Sequence, residues 1–333
     1  MILQIILILL AVNAAVFLFN RLSIPTVLGM ILVGIAFSAP QINSLLHPDV
    51  VEVLPTLAQY GLYVLMFIAG LEVSWAMLVK EGKDSMIVAS FGLVTPFIVG
   101  TASMLLMGYS LLVSACVGIA MSITAEATTA EVLLEMKKIK TRLGALMVGS
   151  GILDDIIGIS AFSVFAFFFF KVSESGVYEL FNLLFVILAF FAGLSAHVLF
   201  GREKKFIKYF EVAAGFLLVP FFFVEMGMHF EIASLFNSWE LILLIIFIAM
   251  AGKILGVVIS RIFVKLSLKQ AYIVGWGMNS RGAIELVLVY SGYKLGILNS
   301  ELYSAIIVMT FVSTLIFPIV LTRMVKANKN IMN

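Results

Sequence analysis

The sequence predicts an all-α, polytopic membrane protein. Hydrophobic residues make up 62% of the 333 residues and charged residues only 12%, about half the charged share of a soluble domain. The mean hydropathy of +1.16 agrees with this class. Eleven apolar segments approach or exceed the length of about 20 residues that a helix needs to cross a bilayer. The single cysteine, Cys116, leaves no disulfide framework.

Charged or turn-forming residues separate the eleven segments along the chain. The predicted bounds are 2–20, 25–39, 57–79, 85–108, 111–136, 142–171, 178–200, 207–228, 238–263, 268–294 and 299–323. The first segment lacks a basic start and a small-residue cleavage site before Arg21, which predicts a retained helix rather than a signal peptide. The second segment is short, and the sixth is long enough to tilt.

The loop charges indicate the orientation. Under this segment count, 17 of the 21 Lys and Arg residues lie in the odd-numbered loops and the C-terminal tail. The opposite side holds only Lys171 and Lys294. The positive-inside rule therefore predicts a cytoplasmic C-terminus and an external N-terminus. The remaining two basic residues, Lys253 and Arg281, fall inside spanning segments.

Asp154 and Asp155 stand side by side near the middle of the sixth segment. A charge at the centre of a membrane helix costs about 3 kcal/mol or more, so these carboxylates are expected to hold a cation or a proton. A fully hydrogen-bonded structural pair is the alternative. Adjacent helical residues point about 100° apart, which predicts different roles for the two carboxylates. Lys253 lies at mid-bilayer in the ninth segment, where ion pairing with an aspartate is favoured over snorkelling to the interface.

One lysine against two aspartates predicts a net negative site. Two carboxylates this close are hard to keep ionised together, so one of them can exchange a proton for a metal ion. Competition between a cation and a proton for the same oxygen atoms is a physical basis for antiport.

Two segments contain polar interruptions that predict broken helices lining a cavity. The fifth segment is interrupted by Ser122, Thr124, Glu126, Thr128 and Thr129. The tenth is interrupted by Gly275, Gly277, Asn279, Ser280, Arg281 and Gly282. An offset of five segments gives the two interruptions opposite orientations. This layout predicts an inverted repeat with a binding site between the two broken helices.

Several strings, in this order along the chain, resemble the monovalent cation:proton antiporter-2 family, which includes the NapA-type and Kef-type antiporters. They are RLSIPTVLGMILVGI, YVLMFIAGLEVSW, ITAEATTAEVLLE, TRLGALMVGSGILDD, VPFFFVEMGMHFEI, GKILGVV and NSRGAIELV. The resemblance implies an NhaA-like inverted-repeat fold with two broken crossing helices.

The resemblance also implies residue roles. Asp155 would bind the proton and the metal ion, Na⁺, while Asp154 would pair with Lys253 when the ion is absent. Thr124 would lie beside the ion in the first crossing helix. Arg281, Glu285 and Asn279 are expected to stabilise the second crossing helix. Glu126 is expected to be an extra ion ligand, a charge partner of Arg281, or a cavity-edge residue without a ligand role.

The family moves a core bundle against a dimerisation scaffold. The resemblance implies scaffold helices at 1–80 and 178–228 and core helices at 85–171 and 238–325. The chain departs from the family in length, because two helices are missing between the aspartate helix and the string AFFAGLSAH. It also has Ala283 where the family often has an acid, with Glu285 as the nearest replacement.

The function expected from these features is exchange of Na⁺ (or Li⁺) for H⁺ by an elevator-type mechanism in the cytoplasmic membrane, without a cofactor and as a homodimer within the bilayer. A K⁺/H⁺ antiporter and a sodium-coupled solute symporter are the alternatives. The buried ion pair disfavours a channel. An intramembrane aspartyl protease needs aspartates on two different helices, and a prenyltransferase needs two acidic motifs. We therefore expect no enzyme activity, and no nucleic acid as a partner.

Overall fold

The computed structural model describes residues 2–22, 24–44, 46–72, 75–169, 174–200, 205–327 and 331–332. Within these ranges only the backbone is described at 72, 75–81, 159, 161–169, 174–181, 183 and 205–208. Lys171, one of the predicted external charges, lies outside the described residues. Helix is the regular secondary structure throughout the described ranges.

Sixteen helices occupy the described part of the chain. They are α1 Ile2–Arg21, α2 Thr26–Ser38, α3 Pro40–Asn43, α4 Pro48–Glu72, α5 Trp75–Leu106, α6 Leu111–Ala120, α7 Glu126–Glu135, α8 Arg142–Phe169, α9 Glu174–Phe200, α10 Lys205–Leu217, α11 Val219–Met228, α12 Ser234–Asn237, α13 Trp239–Ser260, α14 Leu268–Gly277, α15 Ala283–Lys294 and α16 Ser300–Ala327. By length and composition, six described stretches can cross a membrane: Ile2–Arg21, Pro48–Leu71, Gly82–Leu106, Tyr209–Met228, Trp239–Ser260 and Ser300–Ala327. The count of eleven spans stays a prediction.

The predicted bounds of the third and fourth segments are wrong. Helix α4 begins at Pro48, nine residues before the predicted start, because proline is well suited to a first helical turn and Asp49 interacts favourably with the helix N-terminus. Helix α5 begins at Trp75, before the predicted start at residue 85, and continues through a kink at Gly82. It ends just before Gly108, whose φ of +88° favours glycine.

The eighth predicted segment is not one continuous helix. It divides at Leu218 into α10 and α11, two residues before Pro220. Proline lacks the N–H that would continue the α10 hydrogen-bond ladder, and its ring clashes with the preceding turn. By contrast, both predicted interruptions are present. Residues 121–125 separate α6 from α7, and residues 278–282 separate α14 from α15.

The chain folds as two compact units. The first comprises Met1–Val73 and Phe181–Glu231, and the second comprises Ser74–Leu180 and Ile232–Asn333. In the first unit α11 packs against α2 and α4. Small residues allow this close approach, since a Cβ on Gly34 would lie 2.2 Å from the carbonyl oxygen of Val224.

The second unit contains the interrupted helices. Helix α13 packs against α5 and α14, and α5 packs against α6 and α8. A Cβ on Gly256 of α13 would lie 2.3 Å from the carbonyl oxygen of Phe91 on α5, so glycine brings these two backbones together. This packing holds the midpoint of α13 next to the broken helices. The scaffold and core roles of the two units stay predictions.

Candidate functional site

The two helix interruptions contact each other directly within the second unit. The backbone N–H of Ala125 donates to the carbonyl oxygen of Ser280 at 2.9 Å, and the Ser280 hydroxyl donates to the carbonyl oxygen of Ala125 at 2.6 Å. A Cβ on Gly282 would lie only 2.6 Å from the Cβ of Ala125, so a larger residue at position 282 would push the two interrupted segments apart. The backbone N–H and carbonyl of Ala125, which lie outside both helices, therefore find their partners in the other interruption.

Two threonines of the first broken helix extend this junction. The Thr129 hydroxyl lies 2.7 Å from the carbonyl oxygen of Gly277 and 2.6 Å from the Ser280 hydroxyl. The Thr124 hydroxyl lies 2.7 Å from Oδ2 of Asp154 and 3.1 Å from the carbonyl oxygen of Met278. A hydroxyl has one proton to donate, so Thr124 can serve either the carboxylate or the second interruption.

Asp154 and Lys253 form a fully buried ion pair. Both side chains have a relative exposure of 0%, and the Lys253 ammonium donates to Oδ2 of Asp154. The same ammonium donates to the carbonyl oxygen of Ser122 at 2.5 Å. Among the described residues, Oδ1 of Asp154 has no hydrogen-bond partner. Lysine therefore holds one carboxylate oxygen and one carbonyl of the first interruption, while a second carboxylate oxygen stays available.

Asp155 lies next to this pair but is less enclosed. Its relative exposure is 9%, against 0% for Asp154. The rotation of about 100° between adjacent helical residues explains why the lysine contacts only one of the two carboxylates. The two carboxylates thus differ in their burial and in their contact with Lys253.

Arg281 connects the second interruption to the end of α6. Its guanidinium donates to the carbonyl oxygens of Ala120 at 3.1 Å, Met121 at 2.6 Å and Ile123 at 2.6 Å. Carbonyls at a helix C-terminus carry partial negative charge and lack helical partners. The side chain is fully buried. Arg281 therefore satisfies the carbonyls that the interruption of α6 leaves unpaired.

Glu285 provides a counter-charge for Arg281. One of its carboxylate oxygens lies 3.8 Å from Nη1 of Arg281, and the Thr310 hydroxyl on α16 donates to the other at 3.0 Å. Backbone groups of Arg281 also pair with the Thr314 hydroxyl. Among the described residues of the second unit, the buried charged side chains are thus three carboxylates and two cations, so one negative charge is uncompensated when all are ionised.

Glu126 and Asn279 occupy the ends of two broken helices. Glu126 is the first residue of α7 and half-buried, with its side chain close to Gly151 of α8. A carboxylate is favourable at a helix N-terminus. Asn279 is fully buried and donates to the carbonyl oxygen of Gly275 at 2.8 Å. The ligand role of Glu126 and the support role of Asn279 stay predictions.

Sequence reasoning missed the backbone carbonyls of residues 120–123 as the partners of both buried cations. It also missed Thr310 and Thr314, which lie in an apolar helix with no local signal of a junction. Ser280 and Thr129 were visible as polar residues, but their pairing across the junction was not. No group of three or more His, Cys, Asp or Glu side chains in the described ranges is arranged to hold a metal ion.

A family model described as "Sodium/hydrogen exchanger, transmembrane" matches residues 5–213 and 186–327. The Na(+)/H(+)-K(+) antiporter GerN of Bacillus cereus is 28% identical over 367 residues, covering 95% of this chain and 94% of that relative. The Na(+)/H(+) antiporter of Enterococcus hirae is 26% identical over 381 residues, covering 97% and 98%.

Cation/H(+) antiporter 17 of Arabidopsis thaliana is 27% identical over 384 residues, which cover 94% of this chain but 47% of the plant protein. The chain therefore spans about half the length of that relative. Among solved structures, the sodium proton antiporter MjNhaP1 from Methanocaldococcus jannaschii aligns with a TM-score of 0.67, covering 100% of this chain and 98% of its own. At 14% identity, this likeness concerns the fold alone.

Proposed function

The chain belongs to the sodium/hydrogen exchanger family and is therefore a multi-pass cation/proton antiporter rather than an enzyme. Within this family, we propose that it exchanges sodium (or lithium) for protons. The observation that carries this proposal is the buried Asp154–Lys253 pair beside Asp155, between two broken helices. Potassium is the second candidate, because the relative GerN is named as a Na(+)/H(+)-K(+) antiporter.

Asp155 is proposed as the group that carries either the proton or the cation. Its side chain is less enclosed than that of Asp154, which favours access of an ion. The buried carboxylates outnumber the buried cations, so a positive charge is needed to balance them. A cation and a proton supply the same charge, and each excludes the other. This competition couples the two fluxes.

Asp154 and Lys253 are proposed to respond to the ion rather than to hold it alone. A cation near Asp155 repels the Lys253 ammonium and competes for Asp154. Thr124 and the carbonyl oxygen of Met278 supply uncharged oxygen atoms beside the carboxylates, and oxygen atoms are the ligands that hard cations take. If Lys253 also loses its proton during the cycle, more protons than sodium ions move per turn and transport is electrogenic. Glu126 is a further candidate ligand.

An elevator-type movement is proposed for alternating access. The candidate ion residues all lie in the second unit, which is compact by itself. We assign the core role to this unit and the scaffold role to the first unit, through which two copies would form a homodimer in the bilayer. The cytoplasmic membrane is the proposed location, with the C-terminus inside, because most basic residues fall on one side of the predicted segments.

The proposal is tested with purified protein in liposomes that contain a pH-sensitive dye. External Na⁺ is expected to make the lumen alkaline, and Li⁺ and K⁺ are then compared at the same concentration. Asp155→Asn should abolish the signal, and Lys253→Ala should weaken exchange or make it electroneutral. Asp49→Asn, an exposed carboxylate with 59% side-chain exposure, is the control and should transport normally.

The alternatives give different results. A response to K⁺ that exceeds the response to Na⁺ would replace the proposed ion. Sodium uptake that needs an added solute and moves no protons would indicate a symporter. If Asp155→Asn keeps normal sodium-driven proton flux, the assigned role of Asp155 is wrong.

A further inference from the structure

Glu285 is a buried carboxylate that the exchange proposed above does not use. Its relative exposure is 1%, and it lies inside the tenth predicted segment, within the depth of the bilayer. An ionisable side chain in such a place is costly to keep and is by default a candidate for proton or ion transfer. The contacts of its two carboxylate oxygens indicate which protonation states the protein accommodates.

Arg281 stabilises the charge of Glu285 but gives it no hydrogen bond. Nη1 of Arg281 lies 3.8 Å from Oε2 of Glu285, which is beyond hydrogen-bonding distance. Both hydrogens of Nη1 are directed elsewhere, since this atom donates to the carbonyl oxygens of Ala120 and Ile123. Within the described ranges Oε2 has no hydrogen-bond partner. The ionised carboxylate is therefore only partly stabilised at this position.

The Thr310 hydroxyl can serve either protonation state of Glu285. It lies 3.0 Å from Oε1 of Glu285 and 3.0 Å from the carbonyl oxygen of Ile306, one turn earlier in α16. A hydroxyl has one proton to donate, so an ionised Glu285 receives it and Ile306 does not. A protonated Glu285 donates to Thr310 instead, and Thr310 then donates to Ile306. The neutral form thus makes one more hydrogen bond than the charged form.

The charge balance of the second unit links this proton to the cation. One negative charge is uncompensated when all of the buried groups are ionised. A proton on Glu285 removes this charge when the cation is absent, and a cation at Asp155 removes it when Glu285 is ionised. Both together would leave one positive charge in excess in a buried place, which is costly. Binding of the cation at one carboxylate therefore favours loss of the proton from the other.

We propose that Glu285 is a second site for the proton that is exchanged for the cation. When a cation binds at Asp155, Glu285 releases its proton to water and the Thr310 hydroxyl turns to the carboxylate. One positive charge enters as one leaves. The cation and this proton compete through charge, without sharing a ligand. The inference rests on the exchange proposed above and adds a residue to it.

The helices around Glu285 contain few other groups that can hold this proton. Helix α15 packs against α6, α8 and α16. Apart from Glu285 and the charged residues near their ends, these four helices contain the ionisable residues Cys116, Asp154, Asp155, Tyr290, Tyr293 and Tyr303. Cysteine and tyrosine are ordinarily neutral near pH 7, and Asp154 is bound to Lys253. Asp155 is therefore the group that competes with Glu285 for the proton.

The number of protons released per bound Na⁺ tests this inference. It is measured by titrating Na⁺ into the purified protein in detergent and comparing the heats in two buffers with different ionisation enthalpies. Glu285→Gln holds no exchangeable proton of this kind, so it should release clearly fewer protons and bind Na⁺ several-fold more weakly. Glu285→Asp should restore both quantities towards the wild-type values. Glu240→Gln, at an exposed position of α13, is the control and should change neither.

The outcomes separate this inference from the proposed exchange. If the wild-type protein releases no proton as Na⁺ binds, the exchange is wrong and the role of Glu285 fails with it. If the wild-type protein and Glu285→Gln release the same number of protons, the role of Glu285 is wrong, whereas the exchange at Asp155 stands. A purely structural Glu285 would give that second result, with a loss of stability alone.

Thr310→Val is a second test, which keeps Glu285 in place. The ionised carboxylate loses a charge-assisted hydrogen bond, which is stronger than the bond that the neutral acid loses. The variant should therefore need a higher pH than the wild-type protein to reach the same Na⁺ affinity. Ser313→Ala removes another buried hydroxyl of α16, which donates to the carbonyl oxygen of Met309, and should keep the wild-type pH profile. Equal pH profiles for the two variants would overturn the inference.

Discussion

Lys253 bonds two different acceptors, the carboxylate of Asp154 and the carbonyl oxygen of Ser122. A buried charge that loses its only partner is strongly destabilising, so these contacts matter for folding as well as for ion binding. The lysine was recognisable in the sequence because no ordinary helix midpoint in a bilayer carries an ammonium group. Its second acceptor was not recognisable, since a backbone carbonyl has no sequence signature.

We predict that Lys253→Met lowers the free energy of unfolding by about 3–5 kcal/mol, because Asp154 stays buried without its cation. Asp154→Asn combined with Lys253→Met should cost clearly less than Lys253→Met alone. Thermal unfolding in detergent measures both. Equal losses in the single and double variants would show that Asp154 and Lys253 do not act as a pair.

Arg281 makes three hydrogen bonds that a lysine cannot reproduce, since an ammonium lacks the planar fork of a guanidinium. We predict that Arg281→Lys destabilises the protein by about 2–4 kcal/mol, because carbonyls at the end of α6 lose their donors in a buried place. Unfolding in denaturant measures the change. Arg323→Lys, at an exposed position of α16, is the control and should change stability little.

At the scale of elements, the two interrupted helices form one junction. Each interruption leaves peptide groups that water would satisfy at a surface, but a bilayer cannot. Here the junction is closed by Ala125 with Ser280 and by Thr129 with Gly277. Polar residues in apolar segments were sufficient to predict the interruptions. The pairing depended on how α14 and α7 approach each other, which spacing alone does not determine.

We predict that Thr129→Val weakens this junction by about 1–2 kcal/mol, because the carbonyl of Gly277 loses its donor while the side-chain shape is kept. Thr128→Val changes the neighbouring, half-buried position and should cost much less. Thermal unfolding compares the two variants. Sodium-driven proton flux should fall for Thr129→Val at temperatures where the protein is still folded. A loss of the same size for both would rule out a specific role of Thr129.

At the scale of the whole molecule, the distribution of basic residues predicts which side of the membrane each loop faces. In a Cys116→Ala background, Lys294→Cys should react with a membrane-impermeant maleimide added outside intact cells, and Lys140→Cys should react only after permeabilisation. Both positions are exposed. The opposite pattern would reverse the proposed orientation, although it would leave the ion site unchanged.

The sequence by itself determined the class of protein, the family and the identity of the buried charged residues. Composition and the cost of charge in hydrocarbon are local properties, so Asp154, Asp155 and Lys253 could be recognised without coordinates. The positions of the helix ends were predicted less well, as the early start of α4 shows. Hydropathy detects apolar runs, but it does not detect the capping residues that begin and end a helix. The resemblance already indicated Asp154 as the partner of Lys253, and only the tertiary structure decided that Lys253 also holds the carbonyl of Ser122 and that Arg281 satisfies the end of α6. These contacts join residues more than 90 positions apart in the chain, and they depend on the packing of α13, α8 and α6, which local sequence does not encode.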